Sequence, residues 1–171
     1  MRILIFALLF ISFKGITQPS IYSYTVNTQN AGNISLASHK GKKLIIVSVT
    51  PGELVTGKLQ ILDTLAVSYP GVVIIALIAE DIDASATTKN LDQVKLYATN
   101  NFFIVPPVQV KKDKGISQYS LMKWLTSSNE NMHFDNEVQK NIQFYFINEK
   151  GDLYAVVEDY PDPTLFKDLL K

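Results

Sequence analysis

The sequence predicts an α/β fold, a central mixed β-sheet flanked by helices with a β-hairpin in front of it. Three observations carry this. Two nearly unbroken aliphatic runs, KLIIVSV at 43–49 and VVIIALIA at 72–79, enclose a stretch of helical spacing; such runs belong to strands buried on both faces, as in the middle of a helix-covered sheet. Segments 143–148 and 153–158 flank the turn Glu149-Lys150-Gly151-Asp152 and read as a hairpin. Asp162-Pro163 then supplies an N-cap followed by proline at the first helical position, opening a last helix.

In chain order, residues 22–28 alternate through Tyr22, Tyr24 and Val26, turn at Gln29-Asn30-Ala31-Gly32-Asn33 and resume at 34–36. That is the front hairpin. The run 43–49 ends at Thr50-Pro51-Gly52. Leu54, Leu59, Leu62, Leu65 and Ala66 then fall mostly three or four apart, predicting a helix to about Ser68. Tyr69-Pro70-Gly71 breaks it, and 72–79 follows, so strand, helix and strand make a right-handed parallel crossover. A polar segment from Glu80 to Lys89, which includes Asp83, leads to a helix with Leu91, Val94, Leu96 and Tyr97 on one side. Residues 102–110 are extended and interrupted by Pro106-Pro107. Residues 119–126 form a short helix in which Leu121, Trp124 and Leu125 are packing residues rather than a cofactor box. The final helix carries Leu165, Phe166, Leu169 and Leu170. A parallel unit followed by an antiparallel hairpin and a closing helix is the thioredoxin-like plan.

Composition bounds the function. The chain of 171 residues has sixteen basic and sixteen acidic residues, so it carries no electrostatic footprint for nucleic acid or an anionic membrane. With no cysteine, a disulfide framework, a thiolate metal site and a thiol nucleophile are all excluded. His39 and His133 are too few for a three-histidine metal site, and both read as surface residues. Lys111, Lys112 and Lys114 read as a solvated loop.

Residues 1–18 read as a secretory signal peptide: Arg2 opens a short basic region, residues 3–13 are apolar, and small and polar residues follow. This stretch of eleven residues, interrupted only by Ser12, falls short of the roughly 20 that a bilayer-spanning helix needs. No cysteine follows to carry a lipid anchor. The mature part, 19–171, is expected to be one domain with 14 basic and 16 acidic residues, exported to the periplasm or secreted, without a stable membrane anchor.

Three segments resemble the glutathione peroxidase family. In 22–49 the order Y-x-Y-x-V, turn, S-L, K-G-K and apolar strand is matched by Ser35, Leu36, Lys40, Gly41 and Lys42. In 105–127 the proline segment leading to a K-W-L helix is matched by Pro106, Gly115, Leu121, Lys123, Trp124 and Leu125. Residues 141–163, NIQFYFINEKGDLYAVVEDYPDP, resemble the family's last hairpin and proline-containing tail. The resemblance implies a thioredoxin-like fold and, by ancestry, a peroxidase of the oxidative stress response.

The catalytic positions depart from it. Where the family has cysteine or selenocysteine after its first central strand, this chain reads V-S-V-T-P-G-E, which puts Glu53 there. The family's glutamine position falls on Asp81, with Glu80 beside it, and its Trp-Asn pair becomes Lys140-Asn141. A carboxylate has no sulfur to oxidise to a sulfenic acid, so thiol peroxidase chemistry is not expected. The expectation is a degenerate member without a cofactor that binds an unknown protein or small ligand. The alternative is a carboxylate-based metal or hydrolytic site around Glu53, Asp81 and Asn141. Glu53, Glu80 and Asp81 would be its metal ligands, since oxygen ligands suit calcium or magnesium; the plainer reading places Glu53 at a helix N-terminus and leaves the others solvated. PGELVTGK, with Gly52, Gly57 and Lys58, satisfies the phosphate-loop spacing but has Leu59 where magnesium needs a hydroxyl.

Overall fold

A computed structural model describes residues 19–55, 58–82 and 101–171. The expected signal peptide at 1–18, the helix through Leu91 and Tyr97, Asp83 and Gly57 lie outside the described residues.

The chain enters through a 3-10 turn, Ile21–Ser23, and a hairpin of β1 (Thr25–Thr28) and β2 (Gly32–Ser35). Strand β1 is shorter than the alternation of Tyr22, Tyr24 and Val26 predicts. Ser20 is the reason: its hydroxyl accepts from the Tyr22 amide, and its carbonyl accepts from the Ser23 amide at 2.9 Å. Both bonds close a turn where the pattern suggests a strand. Leu36 likewise starts a second 3-10 turn, Leu36–His39, instead of ending β2.

The aliphatic runs form β3 (Lys43–Val49) and β4 (Val72–Ala79), paired in parallel from Lys43↔Val72 to Val49↔Ile78. Between them lie α1 (Pro51–Val55) and α2 (Lys58–Ser68). Strand β5 (Phe102–Val108) runs parallel to β4 and continues through Pro106-Pro107; the expected interruption is a register shift between Leu77 and Ala79. An edge strand tolerates proline because one side of it has no ladder bond to lose. The hairpin turn covers the start of that edge: the Gln29 amide donates to the Ile104 carbonyl at 2.8 Å, and Asn30 exchanges bonds with Phe102 and Ile104.

Helices α3 (Ser120–Thr126) and α4 (Ser128–Asn131) lead to β6 (Ile142–Ile147) and β7 (Leu153–Glu158), and α5 (Pro163–Leu169) closes the chain. The sheet order is β5-β4-β3-β6-β7, with β6 antiparallel to both β3 and β7. As expected, Asp162 caps α5, its carboxylate accepting from the Thr164 and Leu165 amides at 2.8 and 3.0 Å.

Alternation along β3 sends side chains into two cores. Leu44 and Ile46 join Tyr145, Ile147 and the α3 residues Leu121, Trp124 and Leu125. Ile45, Val47 and Val49 join Phe144, Phe146, Leu62 and Ala66 of α2, and Phe166 of α5. One helix layer therefore lies on each face of the sheet. Trp124 is buried packing, and its indole N–H donates to the Pro19 carbonyl at 2.8 Å.

Two surface expectations change. His39 is half-buried, with its ring centroid 5.7 Å from that of Phe103, and burial pulls its pKa below the usual value. The lysine loop is a 3-10 segment, Lys112–Ser117, in which Lys112 pairs with Asp135 at 2.5 Å.

Candidate functional site

In open α/β sheets the place to look is outside the carboxyl ends of the parallel strands. There, the Thr50 amide donates to the Asn141 carbonyl at 2.8 Å, which continues the β3–β6 ladder by one residue. That bond places exposed Lys140 and Asn141 beside the start of α1. Glu53 stands in the first turn of α1, with its amide donating to the Thr50 carbonyl at 3.1 Å. Topology thus brings the backbones at Glu53 and Asn141 to one corner.

Asp81 follows β4 at the same sheet end, but its carboxylate faces elsewhere. It accepts from the Val110 amide at 2.9 and 3.1 Å and from the Lys111 amide at 2.9 Å. Those bonds tie the end of β4 to the segment after β5. Glu80 is exposed and accepts from the Gln109 amide group at 2.7 Å. Val110 belongs to the core on the α3 side of the sheet. Glu53 instead acts on Tyr160, which packs on the opposite core. Burial first, and the Glu53 negative charge second, push the Tyr160 phenol above its ordinary pKa.

Among the described residues no three His, Cys, Asp or Glu side chains come together to hold a metal ion. Glu53, Glu80 and Asp81 therefore do not form the oxygen-ligand cluster that the sequence suggests. The physical reason is that the backbone amides after β5 claim Asp81. Replacing Asp81 with Ala is expected to lower stability by about 1–3 kcal/mol through two orphaned amides. Asp81→Asn, which keeps an acceptor, is expected to recover part of that loss in chemical denaturation.

The phosphate-loop spacing fares differently. Lys58 begins α2 and Gly52 lies in α1, so the motif spans two short helices and includes residues outside those described.

Two features escape sequence reading. Ser48 and Gln143 are register partners, both buried, and the Gln143 amide donates to the Tyr145 hydroxyl at 3.1 Å. The second is Tyr160, whose ring meets Phe144 edge-on with centroids 5.4 Å apart. Asp159, at φ 62°, sits in the left-handed region and turns the chain from β7 towards that contact. Asp tolerates this conformation better than most residues. The only sequence signal for Tyr160 is its setting in E-D-Y-P-D-P, where two prolines limit the backbone.

No protein-family model matches the chain, and no curated protein matches it. Solved structures do. GPX1 of T. cruzi is similar with a TM-score of 0.63 and 17% identity, covering 89% of this chain and 94% of its own. Trgpx in its apo form gives a TM-score of 0.62 at 15% identity, covering 89% and 93%. The exposed lipoprotein thioredoxin Etrx1 of Streptococcus pneumoniae gives 0.55 at 11% identity, covering 85% and 96%. Identities this low speak to architecture and not to activity. With its mixed five-stranded sheet, helices on both faces and N-terminal hairpin, the chain has a thioredoxin-like fold whose structural neighbours include glutathione peroxidases.

Proposed function

We propose that this chain is an exported, glutathione-peroxidase-like protein that performs no thiol peroxidase chemistry and uses its thioredoxin-like scaffold to bind a protein or small ligand. The observation that carries the reading is the residue at the end of the first central strand. Glu53 occupies the corner next to Asn141 where the resemblance wants a thiol or selenol, and the chain holds no cysteine elsewhere. A peroxidatic cycle needs a thiolate to attack the O–O bond and become a sulfenic acid. Export is supported by the signal-like pattern of 1–18, and Etrx1 of S. pneumoniae, an exposed lipoprotein, is similar in fold. Among the described residues no helix is long and apolar enough to cross a membrane.

A thermal-shift screen separates this reading from the carboxylate-based alternative. A ligand specific for the folded state adds about 2.7 kcal/mol at 100 times its dissociation constant. In a chain of this size that is roughly 5–11 °C. Calcium, magnesium and glutathione are expected to give no shift that depends on the carboxylates. A metal-dependent shift abolished in both Glu53→Ala and Asp81→Ala, each read against its own metal-free midpoint, would overturn the reading in favour of a metal site.

A further inference from the structure

The α2–α5 side of the sheet carries a pocket of about 160 Å³ beneath the tail that precedes α5. Its walls are the rings of Tyr69, Tyr160 and Phe166, with Pro161 and Pro163 from the tail and Leu65 from α2. Tyr69 and Phe166 are tilted 48° to each other with centroids 6.0 Å apart, so they do not hide their faces in a stack. A volume of this size holds a head group or a single side chain, well below the ~300 Å³ at which drug-sized sites begin.

The charge carried by the segments around the pocket is negative on balance. The tail around Tyr160 carries Glu158, Asp159 and Asp162, against Lys167 directly after Phe166 in α5. Helix α2 carries Asp63, with Lys58 at its first position. Glu53 adds a further negative charge that is felt at the Tyr160 hydroxyl.

Aromatic faces within an acidic surround attract cations through the ring quadrupole. The type of cation follows from what the walls lack. A primary ammonium leaves water only if acceptors replace its three hydrogen bonds. Rings, prolines and a leucine offer few acceptors. A quaternary ammonium has no hydrogen bonds to replace, and its methyl groups gain from the apolar walls.

We propose that the pocket bounded by Tyr69, Tyr160 and Phe166 binds the quaternary ammonium group of a small organic cation. This rests on the reading of the chain as a binding protein and gives that reading a site and a ligand class.

The test titrates the isotope-labelled full chain with choline, with its neutral isostere 3,3-dimethylbutan-1-ol and with ethanolamine, following backbone amide shifts. Choline is expected to give saturable shifts centred on Leu65, Tyr69, Tyr160 and Phe166. The neutral isostere and ethanolamine are expected to bind at least about tenfold more weakly, each tenfold being about 1.4 kcal/mol. Tyr160→Leu is expected to weaken choline by a similar factor, and Glu53→Gln by less. Equal binding of choline and the neutral isostere, shifts centred elsewhere, or no saturation by about 100 mM, a hundredfold above a 1 mM dissociation constant, would overturn the proposal. These comparisons on the unaltered chain stand even if a variant fails to fold. If choline fails while the chain turns over no peroxide, the site falls and the broader reading stands. Protein-dependent peroxide turnover would overturn the broader reading itself.

Discussion

Phe144→Ala is expected to lower the stability of the chain by about 3–5 kcal/mol, the range for emptying a fully buried phenylalanine site. Phe144 has no exposure and lies in the core between the sheet and the α2–α5 layer. Its ring meets Phe146 at 6.3 Å, Tyr160 at 5.4 Å and Phe166 at 6.5 Å, so truncation removes contacts with a strand, the tail and the last helix together. At this chain length that loss is roughly 6–20 °C in Tm. Phe144→Leu, which fills most of the volume, is expected to cost less than half as much. Equal midpoints for Phe144→Ala and the unaltered chain would contradict the placement of this core.

Gly151→Ala is expected to cost about 2–4 kcal/mol, from backbone strain and overpacking together. Gly151 has φ 94°, a conformation that residues with a Cβ rarely adopt, and it closes the β6–β7 turn. A Cβ there would stand 2.6 Å from Tyr22 Cε2 and 3.0 Å from Ile21 Cγ2. Tyr22 has little room to retreat, because its hydroxyl donates to the Glu149 carbonyl at 3.0 Å. A double-mutant cycle separates the two costs. In a Tyr22→Ala background the closest contact is gone and only that with Ile21 Cγ2 at 3.0 Å remains, so the further loss from Gly151→Ala should fall towards the backbone part, about 1–2 kcal/mol. Strictly additive losses would contradict the contact between the entering chain and this turn.

The central sheet was legible because its signal is local. KLIIVSV and VVIIALIA became β3 and β4 with the predicted bounds, since a strand covered on both faces tolerates few polar side chains. The cap on α5 was equally readable, as Asp162 bonds to amides two and three residues ahead. Tyr22 and Tyr24 misled because period two describes where side chains point and not which backbone bonds form. Ser20 decided that instead. The candidate site divides the same way. Glu53 and Asn141 share one corner because β3 pairs with β6, and that proximity was expected from the resemblance, not from any local pattern. The orientation of the Asp81 carboxylate depends on amides 29 and 30 residues away, across the unpredicted path after β5. Tyr160 beside Glu53 needed the tail to fold back over the α2 side, and no local pattern encodes that return.

The most direct test of the central claim is peroxide consumption by the full chain with hydrogen peroxide and a thiol donor, glutathione or dithiothreitol, followed over a range of protein concentrations. The account predicts the protein-free rate at every concentration, because Glu53 has no sulfur to carry the oxidation and the chain contains no cysteine. Consumption that rises in proportion to protein and saturates with peroxide would contradict it.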